Sequence, residues 1–393
     1  MRLQLGGKRR RRVPRLRTKW ARRVAAALGT SVLPKAAAHR QLSTIALLAA
    51  AFAAPAAADT AFVSKVQVYA DSDNTTVVSP TVQATADVTP DTNVSLGYVA
   101  DVVTSASVDV VSQASATTIH DTRHQVSTGL SQVFGSLTAR GGYSMSREND
   151  YLSNTFSLGL SQELFDKNTT LALGYGLSLN DVGRSGDENF SRSLTVNSIS
   201  ASWTQVMSPR MIAQLTYELG NASGYQASPY RFVPVRTAVD APPSEWIAET
   251  DPDTRWRHAF VIGGNHAIGT DSSVQGDYRF YHDTWGITSH TLGARYFTRL
   301  TSRLELRLRE RFYTQGAASF YQSVYMAPAQ FMAYDRELSP LWSETVGAKL
   351  SYMFTPHIEG ELKVDLFYYS YSDFAPLQSR TGTNTGLGVT LTY

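Results

Sequence analysis

Residues 170–180 read TLALGYGLSLN, and from Leu171 onwards every second residue is large and apolar. The residues between them are small or polar: Ala172, Gly174, Gly176, Ser178 and Asn180. Strict alternation of this kind is typical of a β-strand, because successive side chains point to opposite faces of a sheet. One face of this strand is therefore wholly apolar, as it would be against a second sheet or against lipid.

The same alternation recurs along the chain, in residues 137–146, 211–219, 303–312, 346–354 and 362–368. Seven short, turn-like connections are interleaved with eight others that are mostly longer. No apolar run after residue 58 is long enough for a membrane-spanning helix, so a membrane would be crossed by strands. The predicted fold class is all-β, a transmembrane antiparallel β-barrel of about 16 strands with its short turns at the periplasmic end.

The stretch GLGVTLTY, residues 386–393, has its apolar residues at every second position: Leu387, Val389, Leu391 and Tyr393. We predict that this strand closes the barrel by pairing with the first strand, because an open edge would leave backbone groups unpaired. Tyr393 would then lie in the aromatic girdle at the periplasmic interface. A strand that ends on an aromatic residue resembles the C-terminal recognition signal of Gram-negative outer-membrane barrels, which implies the barrel-assembly machinery as a partner.

The basic residues are concentrated at the N-terminus. Residues 1–58 carry 13 of the 36 Lys and Arg residues and none of the 33 Asp and Glu residues. The basic stretch leads into the apolar run 45–54, and the alanines 56–58 form a small-residue cleavage box. We predict a basic N-terminal extension with a cleavable signal peptide in residues 1–58. Residues 59–393 would form a barrel in contact with lipid, in the outer membrane of a Gram-negative bacterium. We predict no nucleic-acid partner, because the arginine run adjoins an export signal.

Four stretches carry a resemblance to a known family: VQVYADSDNTTVVSPTV (66–82), GYVADVVTSASVDVVS (97–112), SRENDYLS (146–153) and YRFYHDTWGITSHT (278–291). Together they resemble a family of exported outer-membrane β-barrels that is known only as a domain of unknown function. The resemblance covers nearly all of residues 59–393 and implies the barrel and its location. It implies no activity and no functional residue. The genes of such proteins neighbour genes for envelope redox proteins, which implies a redox partner as one alternative.

Charged residues are frequent on the inward faces of the predicted strands between residues 275 and 365, and basic residues outnumber acidic ones there. The predicted lumen-lining residues are Arg279, Arg295, Arg303, Glu305, Arg307, Arg309, Arg311, Lys349 and Lys363. A basic wall that faces a wall of small residues would favour anions in a water-filled pore. The alternative is a ladder of charges across neighbouring strands that neutralise one another.

The basic wall and the small-residue wall favour two alternative functions. The first is a channel or transport protein with a restricted, mildly anion-biased lumen. The second is a non-enzymatic sheath or docking scaffold for an envelope redox or surface partner, favoured by the small-residue wall and by the apolar segment within residues 316–342. This segment would either fold into the mouth or pack against the long extracellular loop 221–253, and both arrangements narrow the mouth.

Acidic and amide residues are grouped in three successive predicted loops at the rim: Asp71, Asp73, Asn74, Asp121, Glu148 and Asp150. Oxygen ligands from neighbouring loops are what Ca²⁺ binds, so a calcium site is one hypothesis, and solvated carboxylates are the other. We predict no other cofactor, and a chain without cysteine has no thiolate metal site. No nucleophile, base and orienting residue have a recognisable spacing, so we predict that the protein is not an enzyme.

Overall fold

The structure is a computed structural model that describes residues 60–105 and 119–393. The predicted extension and signal peptide in residues 1–58 lie outside the described residues. In the described part of the chain, sixteen strands form a closed barrel and two more form a separate hairpin. The strands are β1 (Thr60–Asp71), β2 (Thr75–Thr89), β3 (Thr92–Ser105), β4 (Ile119–Phe134), β5 (Leu137–Arg147), β6 (Tyr151–Leu164), β7 (Thr169–Val182), β8 (Arg192–Ser208), β9 (Met211–Gly224), β10 (Phe232–Arg236), β11 (Pro243–Ala248), β12 (Thr254–Ile268), β13 (Ser272–Asp283), β14 (Thr288–Arg299), β15 (Leu304–Gln315), β16 (Leu341–Thr355), β17 (Ile358–Tyr371) and β18 (Ser379–Thr392).

The barrel strands follow one another in chain order, with β12 next to β9, and every neighbouring pair is antiparallel. The barrel closes where β18 pairs with β1, with Leu387 opposite Val66. Val389 and Leu391 lie on the same strand, and the backbone N–H of Tyr393 donates to the carbonyl of Thr60 at 2.9 Å. The predicted antiparallel barrel of 16 strands is confirmed. Closure pairs the two edges of the sheet with each other.

The outer face of the barrel is apolar. Leu158, Leu173 and Leu387 point outwards and are 66%, 61% and 53% exposed, although side chains of this kind are normally buried in a soluble protein. The inner face across β5–β8 is built mainly from small residues, with Arg140 on β5 as an exception. A Cβ added to Gly174 would lie 2.6 Å from the Oγ of Ser200, so serine hydroxyls cover the glycines of the neighbouring strand. This wall therefore leaves space inside the barrel.

Short and long connections lie at opposite ends of the barrel. The seven short ones are residues 90–91, 135–136, 165–168, 209–210, 269–271, 300–303 and 356–357. Gly135 and Gly269 have φ values of +63° and +67°, a region that L-residues rarely adopt, and glycine there allows the tight reversal. The other eight connections, most of them longer, join strands at the opposite end. The predicted alternation of turns and longer loops is confirmed.

Tyrosines mark one level on the outer face, which we call the tyrosine belt. Five strands that begin after short turns carry a tyrosine at their seventh residue: Tyr98, Tyr143, Tyr175, Tyr217 and Tyr278. Each hydroxyl is hydrogen-bonded to a side chain of the next barrel strand at 2.7–2.9 Å, and these partners are His124, Asn154, Asn197, His258 and His290. Aromatic rings with a polar tip are typical of the membrane–water interface of a barrel.

Two long loops, residues 225–253 and 316–340, pack against each other, and we call them together the cap. The first contains the β10–β11 hairpin, whose Val235 forms a bridge with Tyr325 of the second loop. Thr250 forms another bridge with Met332. A buried cluster joins both loops to the first residue of β16, to the last residue of β17 and to the connection that follows β17. Its members are Val233, Val235, Tyr325, Met332, Tyr334, Leu341, Tyr371 and Phe374. Of the two predicted arrangements of the apolar segment, the structure has the one packed against the other long loop.

The second cap loop is also held by the rest of the rim. Arg336 forms an ion pair with Asp73 of the β1–β2 connection, and both side chains are buried. The side-chain amide of Gln315 donates to the carbonyls of Glu337 and Ser339 at 2.8 Å each. A second apolar cluster joins this loop to Trp285 and Ile287 of the β13–β14 connection. The cap is therefore anchored on several sides of the mouth.

Among the described residues, no helix has both the length and the apolar character that crossing a membrane requires.

Candidate functional site: the lumen and the mouth

The charged wall predicted from sequence is present on the inner faces of β13–β17, and much of its charge is paired. Arg295 contacts Asp277 at 3.0 Å, and Arg309 contacts Asp365 at 2.8 Å. The remaining paired residues of the predicted set are Arg279 with Glu218, Lys349 with Glu361 and Lys363 with Asp365. For these five basic residues the charge-ladder alternative describes the structure.

Two arginines of the predicted wall keep an uncompensated charge. Arg307 and Arg311 face the lumen from β15, and neither has an ion-pair partner among the described residues. The guanidinium of Arg311 lies 5.2 Å from the ring centroid of Tyr313. Glu305 lies on the same face, opposite Ser351, and has no ion-pair partner among the described residues. The wall therefore retains a positive excess where β15 crosses the lumen.

Arg303, also predicted on the lumen wall, lies at the short-turn end of that wall. It lies one residue before β15, in the short turn 300–303, and it is exposed. Its backbone N–H donates to the Oγ1 of Thr301 at 3.2 Å, and its carbonyl accepts from Met353. The turn ends later than the alternation of leucines in β15 suggests, so Arg303 belongs to the rim at the short-turn end.

Sequence reasoning missed the inward charges of β12. Arg255 and Arg257 both point into the barrel near the mouth, because they alternate with the outward Trp256 and His258. Arg255 forms an ion pair with the fully buried Asp283 at 2.5 Å, and its guanidinium stacks over Trp285 at 4.2 Å. Arg257 has no ion-pair partner among the described residues. The alternating pattern TRWRHAFVIGG of residues 254–264 was the signal that could have found them.

A chamber of about 570 Å³ lies against the inner face of the barrel, where the small-residue wall continues into β9, β12 and β13. Its lining contains Gly174, Gly176, Ser198 and Ser200 and, on the next strands, Glu218, Arg257 and Arg279. Arg279 contacts Glu218 at 3.1 Å, so Arg257 supplies the unpaired charge of this chamber.

A second cavity, of about 380 Å³, lies at the mouth between the barrel and the cap, and we call it the mouth cavity. It shares Arg257, Arg279 and Tyr281 with the chamber, so the two spaces adjoin. The cap contributes the acidic residues Asp251, Asp335 and Glu337 to its lining. The lining of the mouth cavity therefore carries both signs of charge.

The cap side of the mouth cavity has a group of carboxylates around one arginine. Arg231 contacts Glu249 at 3.2 Å and Asp335 at 2.9 Å. Burial raises the pKa of Glu249 to about 8, although Arg231 opposes the shift. Burial, with the nearby negative charge of Asp335, raises the pKa of Asp251 to about 7. Both carboxyl groups are thus partly protonated near neutral pH.

The six residues predicted as rim calcium ligands are Asp71, Asp73, Asn74, Asp121, Glu148 and Asp150. Asp73 is ion-paired with Arg336, and Asp150 accepts a hydrogen bond from the hydroxyl of Tyr230. In residues 60–105 and 119–393, no three His, Asp or Glu side chains are grouped as a metal ion requires. These carboxylates tie loops together in the structure, and calcium binding stays a prediction.

Comparison with known proteins gives a family and a fold. A family model described as "Protein of unknown function (DUF3570)" matches residues 108–388. No curated protein matches the chain. A solved structure described as a bacterial polysaccharide outer membrane secretin is similar at 8% identity and a TM-score of 0.50, over 85% of this chain and 98% of that one.

Two further solved structures are more distant. The monoaromatic hydrocarbon channel CymD is 10% identical over 86% of this chain and 88% of that chain, with a TM-score of 0.42. The siderophore receptor PirA from Pseudomonas aeruginosa is 9% identical over 84% of this chain and 61% of that chain, with a TM-score of 0.43. At such identities, the likeness to solved structures shows the outer-membrane type of barrel fold alone.

Proposed function

Because the chain belongs to the DUF3570 family and folds as a closed barrel with an apolar outer face, we propose that it is an outer-membrane transport barrel. Its lumen would pass small polar solutes and would be restricted at the mouth and mildly selective for anions. The apolar outer face and the tyrosine belt support the membrane location, since a barrel in lipid needs an apolar band bordered by aromatic residues. The proposal assigns the protein no catalytic role.

The unpaired arginines of the lumen are the observation that carries the anion bias. Arg257, Arg307 and Arg311 face the interior without an ion-pair partner in the described chain, as does Arg140 on β5. Glu305 and Glu359 are the acidic residues of the charged wall that also lack such a partner there. A positive excess inside a low-dielectric wall raises the local concentration of anions. The bias is mild because the other basic side chains of the wall are neutralised by carboxylates.

Restriction at the mouth is supported by the cap. Its two loops share a buried apolar cluster, and the second loop is anchored to three other connections and strands of the rim. A packed segment of this kind narrows the entrance, in contrast to a loop that extends into water. Small solutes would pass beside the cap through the mouth cavity and then through the chamber.

Conductance of the purified, refolded barrel in a planar lipid bilayer tests this proposal. Under a gradient of KCl, we expect discrete conductance steps and a reversal potential of the sign given by anion selectivity. The double variant Arg307→Gln, Arg311→Gln should lose most of that selectivity. The matched control is Arg210→Gln, which removes an exposed charge from the turn between β8 and β9. A folded barrel that conducts no ions, or that prefers cations, would contradict the proposal.

A second candidate function is a docking scaffold for an envelope redox or surface partner. The observation that favours it is the smooth inner wall, in which serine hydroxyls cover the glycines of neighbouring strands, as with Ser200 over Gly174 and Ser198 over Gly176. Such a wall can accept a closely packed chain segment as well as water. Mild crosslinking in cells followed by purification distinguishes the two functions: a stoichiometric protein partner supports the scaffold, and recovery of the barrel alone contradicts it.

A further inference from the structure

The lining of the mouth cavity contains one acidic and one basic residue without an ion-pair partner in the described chain, Asp251 and Arg257. The Oδ1 atom of Asp251 is fully buried and has no hydrogen-bond partner. Across the same cavity lining, the guanidinium of Arg257 has no ion-pair partner in the described chain. A buried polar atom without a partner costs free energy, and a charged one costs more, so such atoms need an explanation.

The other charged groups of the lining are already engaged. Asp335 is held by Arg231 at 2.9 Å, and Glu337 lies 3.6 Å from Arg380 and 3.7 Å from Arg336. Arg255 is paired with Asp283, and Arg279 with Glu218. A ligand would have to compete with an existing ion pair to use any of these groups, whereas Asp251 and Arg257 line the cavity without an ion-pair partner in the described chain. The groups of the cavity left for a ligand are therefore one carboxyl group, which is partly ionised near neutral pH, and one guanidinium.

A single small ligand with opposite charges would satisfy both groups. An ammonium group donates charge-assisted hydrogen bonds to a carboxylate, and a carboxylate accepts two parallel hydrogen bonds from a guanidinium. The volume of about 380 Å³ falls within the range of small-molecule sites. Leu194, Ile287 and Leu338 supply an apolar part of the lining, against which an uncharged side chain would pack.

We propose that the mouth cavity binds a small zwitterion of the amino-acid type, with its ammonium group on Asp251 and its carboxylate on Arg257. The inference deepens the proposed function, because it names the class of solute that would enter the lumen from the mouth, and in that sense it rests on the transport proposal. Binding itself can be measured without transport.

Three probes of the same shape test the assignment by isothermal titration calorimetry on the folded barrel in detergent. L-phenylalanine carries both charged groups, 2-phenylethylamine lacks the carboxylate, and 3-phenylpropanoate lacks the ammonium group. We expect phenylalanine to bind at least tenfold more tightly than either analogue. No detectable binding of phenylalanine overturns the proposal. Equal or tighter binding of 3-phenylpropanoate also overturns it, because the cavity would then be a simple anion site.

Two variants test which charged group of phenylalanine each residue binds. Asp251→Asn should weaken the binding of phenylalanine at least tenfold and leave 3-phenylpropanoate unchanged. Arg257→Gln should weaken phenylalanine at least tenfold and leave 2-phenylethylamine unchanged. Phenylalanine binding that survives both substitutions overturns the proposal. The planar-bilayer measurement is independent of these results. Conductance without binding of phenylalanine would contradict this inference but not the transport proposal. Binding of phenylalanine without conductance would contradict the transport proposal but not the binding site.

Discussion

Replacing Asp73 with asparagine should release one side of the cap. Asp73 and Arg336 are ion-paired, with side chains only 2% and 10% exposed. Removal of one partner from a buried pair costs about 3–5 kcal/mol, because the other charge stays buried. Arg336 keeps a longer contact with Glu337 at 3.7 Å, so we take the lower end, about 3 kcal/mol. That free energy corresponds to a rise of roughly a hundredfold in the equilibrium for opening of the loop.

Limited proteolysis with chymotrypsin measures this opening. Tyr321, Tyr325 and Tyr334 are buried in the closed cap and are cleavage sites once the loop opens. When opening and closing are fast compared with cleavage, the cleavage rate follows the opening equilibrium, so the variant should be cut roughly a hundredfold faster. The fragments should map to residues 316–340, with the barrel strands intact.

The matched control for Asp73→Asn is Asp271→Asn. Asp271 contacts Arg299 at 3.4 Å, and both side chains are more than half exposed, so this pair contributes only about 0–1 kcal/mol. Its cleavage rate should equal that of the wild type. The reasoning is refuted if Asp73→Asn is cleaved no faster than this control.

Three further predictions concern the cap, the outer face and the lumen. The pKa values of Glu249 and Asp251, about 8 and 7 in the closed cap, lie above their ordinary values of 4.5 and 3.8. Between the ordinary and the raised pKa values, the closed cap therefore binds more protons than the open cap, so the stability of the closed cap falls as the pH rises. Relative to a reference peptide, chymotrypsin should cut the cap faster at pH 8.5 than at pH 6. Leu387→Arg places a charge on the outer face of the closing strand and should lower the urea stability of the folded barrel in lipid by roughly 2–4 kcal/mol, whereas an unchanged urea midpoint would contradict a lipid-facing position. Ser200→Phe should fill the chamber and lower the single-channel conductance, while Ile199→Phe on the outer face should leave it unchanged; equal conductances would place the ion path elsewhere.

Most of the barrel could be predicted from sequence because its main signal is local. A period of two in side-chain character identifies a strand without any knowledge of its partner, as in β7 and β15. The same signal failed for the β10–β11 hairpin inside the cap. Its strands have only 5 and 6 residues and contain Pro234 and Pro243, which disfavour a strand assignment. Long loops with their own hairpins therefore stay hidden in an alternation analysis.

The candidate site was less predictable, because pairing between charges depends on register and on loops. Asp73 and its partner Arg336 are separated by 263 residues, and no local pattern connects them. Which arginines of the wall remain unpaired depends on where Glu218, Asp277 and Asp365 come to lie on neighbouring strands. The basic residues predicted from sequence therefore overestimate the unpaired charge of the lumen, and they do not include Arg257, which lies on β12 before residue 275.

The constant position of the belt tyrosines restricts how the length of this chain can vary among related proteins. The tyrosine lies six positions after the first residue in β3, β5, β7, β9 and β13. Loss of one residue from that interval would turn the tyrosine into the lumen, and loss of two would displace it by roughly 7 Å along the strand. Insertions and deletions among homologues are therefore expected in the long connections, whereas the interval from each short turn to its tyrosine should keep a fixed length.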